Sequence, residues 1–175
     1  MKRRTIRLLA GVVTVVSLVS AGSGAYFTNK KTVRQVITTG SIQIVLNDEA
    51  DSSIPVMPGS VLHRPVSVSN VGENAAWIRV KVQGEWEFSD SDERDDVEPA
   101  LDYDLLTWQM YDGWYYLNEA LECGETSSEL FTTLTFPLSL DNSYEASSYH
   151  FSIQAEAVQK INNASTVLEA EGWPE

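Results

Sequence analysis

Ala76-Trp77-Ile78-Arg79-Val80-Lys81-Val82-Gln83 alternates without a break: Ala76, Ile78, Val80 and Val82 fall on one side, Trp77, Arg79, Lys81 and Gln83 on the other. A period of two sends successive side chains to opposite faces of an extended chain, so this run predicts a strand with one face in a core. The same period recurs on either side of it. Ile42, Ile44 and Leu46 alternate with polar or smaller neighbours, and Phe151, Ile153, Ala155 and Ala157 alternate with Ser152, Gln154 and Glu156. Further extended runs at 62–68, 86–88, 105–110, 114–117 and 131–138 bring the expected total to about eight strands.

Turn residues separate these runs. Pro58-Gly59 and the segment from Asn70 to Asn74 lie between strands, and Asp112-Gly113 between two aromatic runs is a strong hairpin signal. No helical pattern of ten or more residues precedes Ser165, which argues against parallel βαβ units. The expected architecture is all-β: an antiparallel β-sandwich over residues 41–175, with jelly-roll-like and immunoglobulin-like topologies both open. Residues 165–175 are expected to add a short terminal helix or strand whose Trp173 docks on the body.

Upstream of the sandwich, residues 1–25 read as an export leader. Lys2, Arg3, Arg4 and Arg7 precede an apolar stretch from Leu8 to Val19, followed by a small-residue run ending at Gly24 and Ala25. Cleavage by a signal peptidase is expected around Gly24, Ala25 and Tyr26. The apolar stretch is shorter than the ~20 residues that span a bilayer, so contact with the membrane is expected only before cleavage. The leader holds four of the twelve basic residues and none of the twenty-five acids, so its removal takes the net charge from −13 to about −17. Charge of that sign repels nucleic acid and anionic membranes and suits a secreted or cell-surface protein. Cys123 is the single cysteine, which excludes an internal disulfide and leaves stability to packing. It reads as a half-buried filler or as a thiol able to link two chains.

The chemistry-bearing residues are sparse. A zinc peptidase needs two or three converging His or carboxylate ligands, often as HExxH on a helix. Here His63 and His150 lie on separate expected strands with no acid at helical spacing, and no Ser sits in a Gly-x-Ser-x-Gly elbow. No catalytic residue, cofactor or metal site is expected. The acidic segment at 90–98 is either a solvated loop or a weak calcium site, and it lacks the EF-hand glycine and terminal Glu. Trp108, Tyr111, Trp114, Tyr115 and Tyr116 form an aromatic cluster that is either core or a partner surface, with alternation turning only every second ring inward.

The order of several pieces carries a resemblance: the leader running into Ala25-Tyr26-Phe27-Thr28, then Thr39-Gly40-Ser41-Ile42-Gln43-Ile44, Pro58-Gly59-Ser60, and Val68-Ser69-Asn70-Val71-Gly72 continuing to Val80. Asp112-Gly113-Trp114-Tyr115-Tyr116, Gly124-Glu125-Thr126 and Ala155-Glu156-Ala157-Val158-Gln159 follow in order. Nearly the whole chain resembles the TasA/camelysin family of secreted Gram-positive proteins processed by a dedicated, SipW-type signal peptidase. The resemblance implies a jelly-roll-like sandwich, export, and a structural place in the biofilm matrix or on the cell surface, with self-association or contact with other matrix proteins. It also implies assembly into fibres by exchange of an N-terminal strand. Here the donor is residues 26–40, with Tyr26, Phe27, Val33, Val36 and Ile37 as strand formers; an ordinary first strand of the same subunit is the alternative. Two departures weaken the likeness: Cys123 stands where proline usually precedes the glycine turn, and the chain is shorter than the fibre-forming members. A monomeric adhesin or accessory protein, and a camelysin-like metallopeptidase, are the other functions the resemblance raises.

Overall fold

The run quoted above opens a twelve-residue strand at the middle of one of two sheets. A computed structural model describes residues 42–48, 57–88, 97–141, 144 and 147–174. Among them are eight strands: β1 (Ile44–Asp48), β2 (Val61–Asn70), β3 (Ala76–Glu87), β4 (Ala100–Leu101), β5 (Trp108–Tyr111), β6 (Trp114–Leu117), β7 (Phe131–Thr135) and β8 (Ser148–Gln159). They form two antiparallel four-stranded sheets, β1-β2-β7-β4 and β5-β6-β3-β8. The expected all-β sandwich is borne out. The pairs β3–β8, β4–β7 and β5–β6 nest around one another in the sequence, and β3 and β8, far apart in the chain, share a ladder of twelve residue pairs.

The core lies where the inward faces meet. Ile44, Val66, Val68, Ile78, Val80, Trp108, Leu130, Phe131, Leu134 and Phe136 are all nearly inaccessible, and Ile153, Ala155 and Ala157 close it from β8. Burying a side chain of the Val, Leu or Phe kind stabilises the fold by about 1.5–3 kcal/mol, so this interior can hold the sandwich without a disulfide. At one end Trp86 gathers Tyr144 and Tyr149, each with ring centroids 4.9 Å away. Gly84 makes room there: a β-carbon on it would sit 1.7 Å from the Tyr149 hydroxyl.

Turn chemistry behaves as the residues dictate. Asp112 and Gly113 both take positive φ (48° and 74°), the pairing a two-residue hairpin between β5 and β6 requires. Asn70, fully buried, ties the next corner. Its amide donates to the carbonyls of Asn74 and Leu121, and its side-chain oxygen accepts from the Gly72 amide.

Several strand limits differ from expectation. The run at 86–88 is no separate strand but the end of β3. The run at 105–110 begins as a turn, because the Asp104 carboxylate accepts from the Leu106 and Thr107 amides, and pairing starts only at Trp108. The run at 131–138 stops at Thr135, two residues before Pro137, which has no amide hydrogen to donate. The two-residue β4 carries too little pattern to be read in advance. In β2 the register against β7 shifts between His63 and Val66, where Pro65 likewise lacks a donor.

Asp102, beside β4, secures β7 through a similar device. Its carboxylate accepts from the Thr132 hydroxyl at 2.6 Å and from the Thr132 and Thr133 amides at 2.8 and 2.7 Å. Partial burial pushes its pKa up, but these bonds outweigh that and hold it down at about 2. A depressed carboxyl contributes stability that is present above the ordinary value of 3.8 and is lost as pH falls through about 2. The Asp102→Asn variant should therefore melt below the wild type at pH 7, and the gap should close between pH 4 and pH 2. Thermal unfolding followed by circular dichroism across that range checks this; a gap that persists unchanged at pH 2 would refute it.

Candidate functional site

Two features of the β5-β6-β3-β8 sheet stand out as places for contact with another molecule: its β8 edge and its outer face. β8 pairs with β3 over all twelve residues, from Ser148 opposite Glu87 to Gln159 opposite Ala76. On its other side no described strand pairs with it, although β1 packs nearby from the opposite sheet. An edge of this length offers a row of amide and carbonyl groups to an added strand.

The outer face of the same sheet departs from simple alternation. Trp77, Tyr116 and Val158 point away from the main core yet are buried, because the chain beyond β8 folds back over them. This C-terminal strap contains a short 3-10 helix, Val167–Glu169, and packs Val167 and Ala170 onto the sheet. Trp173 meets Tyr116 edge to face at 5.8 Å, so the docking expected of it is borne out. The Arg79 guanidinium sits over two indoles, its Cζ 4.1 Å from the Trp114 centroid and 4.6 Å from that of Trp173. Its Nε and Nη2 donate to Glu156 Oε2 at 2.8 and 2.6 Å, and Nη2 also donates to the Pro174 carbonyl at 3.2 Å. Gln154 completes the row by donating to Glu156 Oε1 at 2.6 Å.

The five aromatic residues expected as core or partner surface do not share one environment. Trp108 is fully buried in the main core and cannot serve a surface in this fold. Tyr116 is buried under the strap and Trp114 partly so. Tyr115 turns toward the core and stacks on Tyr103 with centroids 4.3 Å apart. Burial, then the hydrogen bond to Tyr115, pushes the Tyr103 phenol far above its usual range. Only Tyr111, 61 % exposed, stands clear on the edge strand β5, beside the equally exposed Met110.

The remaining candidates are dispersed. His63 lies on β2 and His150 on β8, in opposite sheets, and His150 faces Glu87 at 2.6 Å across the β3–β8 ladder. Among the described residues no three His, Cys, Asp or Glu side chains come close enough to hold a metal ion. Cys123 is exposed and not the half-buried filler expected of a lone cysteine. It sits in a turn closed by the Glu125 amide on the Glu122 carbonyl, with Gly124 at positive φ. Residues 90–96 of the acidic segment lie outside the described residues, as do the cleavage region at Gly24, Ala25 and Tyr26 and the expected donor segment at 26–40. A groove of about 380 Å³ runs beside Leu106, Thr107, Asn118 and Ser127, away from both histidines.

One charged pair was not anticipated. Asp48 and Arg64 lie on inward-facing positions of β1 and β2 and form a two-pronged ion pair, both bonds 2.8 Å. The guanidinium rests 4.7 Å from the Phe151 centroid. Arg64 shares the inward spacing of Val66 and Val68, a signal in the sequence that its charge outweighed.

Comparison with protein-family models, with curated proteins and with solved structures finds no match for the chain.

Proposed function

We propose that this is an exported, non-enzymatic cell-surface or biofilm-matrix protein of the TasA/camelysin type that assembles by adding an N-terminal strand of one copy to the sheet edge of the next. The observation that carries the reading is the β8 edge: twelve residues long, in register with β3 throughout, and with no described strand on its other side. Strand addition takes its affinity from main-chain hydrogen bonds and its register from alternate side chains, and β8 offers both. The expected donor brings Lys30, Lys31 and Arg34 to a body dominated by acids, which favours their encounter. The leader at 1–25 supports export. A structural role also accords with the dispersed placement of His63, His150 and Cys123, which brings together no nucleophile, base and orienting group.

Protein with its leader removed should form filaments visible by negative-stain electron microscopy, and deletion of residues 26–38 should leave only monomers by light scattering. Monomeric intact protein, or filaments that persist after the deletion, would overturn the proposal. The exposed Met110 and Tyr111 on β5 favour a second reading, a monomeric surface adhesin or accessory protein. Under that reading Tyr111→Ala would lower partner binding without changing mass in solution.

A further inference from the structure

We infer that β5, the edge of the β5-β6-β3-β8 sheet opposite β8, is a contact between two copies of this chain, which pair there antiparallel about a twofold axis at Met110. The first observation is where exposed apolar surface lies. Leu105 (63 % exposed), Leu106 (91 %), Met110 and Tyr111 (61 % each) fall together within 105–111, the turn that leads into β5 and the strand itself. Apolar side chains exposed singly are ordinary, but a contiguous group of them marks a surface that another molecule covers.

The second observation is the state of the main chain. In the β5–β6 ladder Tyr111 faces Trp114 across the two-residue turn Asp112-Gly113, and beyond the other end of β5 the Asn118 amide donates to the Thr107 carbonyl. Hydrogen-bonded and non-bonded pairs alternate in an antiparallel ladder, so Thr107, Gln109 and Tyr111 direct their main-chain groups toward β6. Trp108 and Met110 turn theirs to the open side. The Trp108 amide is taken up by the Asp104 carbonyl at 3.1 Å, whereas the N–H and C=O of Met110 face an edge on which no described strand lies. An added extended strand satisfies such groups, and between 105 and 111 no proline or charged residue guards against one.

The third observation concerns the occupant. The chain carries −13, so two copies approach most readily where acids are missing, and 105–111 holds neither acid nor base. A basic partner strand would find no carboxylate in this stretch. The same edge of a second copy, by contrast, is self-complementary: each Met110 N–H donates to the other Met110 C=O, and each Gln109 lies opposite the other Tyr111. A strand of four residues falls short of the about 1,200 Å² that a stable interface buries, so the pairing is weak and reversible and leaves the dilute protein monomeric. Strand addition at β8 uses the other edge of the sheet, and this contact does not depend on it.

Disulfide trapping detects a contact this weak. In mature protein carrying Cys123→Ser, Met110→Cys should form a covalent dimer under mild oxidation roughly tenfold or more faster than Met57→Cys, because the twofold pairing holds two copies of position 110 within disulfide reach. Met57 is the control, with the same 61 % exposure. A mixture of Gln109→Cys and Tyr111→Cys proteins should cross-link faster than either alone, which reads the register directly on a non-reducing gel. Equal rates at 110 and 57, or a mixture no faster than its separate components, would refute the pairing. Slow reaction at every position would also refute it, and would leave β5 to a strand of a different protein.

Discussion

Replacing Trp108 by Ala is expected to remove about 3–5 kcal/mol of stability, while Tyr111→Ala, three residues along the same strand, is expected to change it by less than about 0.5 kcal/mol. The two residues belong to one aromatic cluster in the sequence, but Trp108 has no exposure and Tyr111 is 61 % exposed. Truncating Trp108 removes an entire indole from the core between the two sheets and leaves a cavity in its place. A domain of this size has only about 5–15 kcal/mol in hand, so the variant should unfold at a much lower urea concentration with the slope little changed. Equal midpoints for the two variants would mean that Trp108 is not packed between the sheets.

The second large effect concerns the ion pair inside the sandwich. Asp48→Ala should cost about 3–5 kcal/mol, because it leaves the Arg64 guanidinium buried with its strongest partner gone. Replacing both at once, Asp48→Leu with Arg64→Met, should be close to neutral, since the attraction within such a pair roughly offsets the desolvation of its two members. Urea unfolding of the two single variants and the double variant gives the coupling directly. Additive losses in the double variant would show that the two residues act separately. The losses should also be insensitive to salt up to several tenths molar, since burial shields the pair from mobile ions.

Much of this organisation was legible along the chain because a strand half in a core must repeat every two residues. Ala76, Ile78 and Val80 announce their face, and so do Phe151, Ile153 and Ala155; Asp112-Gly113 announces its hairpin because few residue pairs tolerate two positive φ values in a row. The outer face was not legible. Trp77, Tyr116 and Val158 occupy positions that alternation assigns to solvent, and only the return of residues 165–174 buries them. No local rule says where a strap after the last strand will land, even though the bulk of Trp173 indicates that it lands somewhere. The Asp48–Arg64 pair was hidden for a related reason: each residue alone looks like a surface charge, and the ladder that sets β1 beside β2 makes them neighbours.

The sequence by itself determined that the body downstream of the leader is all-β, that its strands are antiparallel and half-buried, and where most of the turns fall. These properties follow from side-chain periodicity and backbone preference, which act over a few residues. Tertiary structure alone decided that β8 lies at the edge of its sheet among the described strands, that Trp108 is core while Tyr111 is surface, and that Arg79 is clasped between Trp114 and Trp173. Those relations join residues tens of positions apart in the chain, and their energy exists only once the sheets have closed and water has left the space between them.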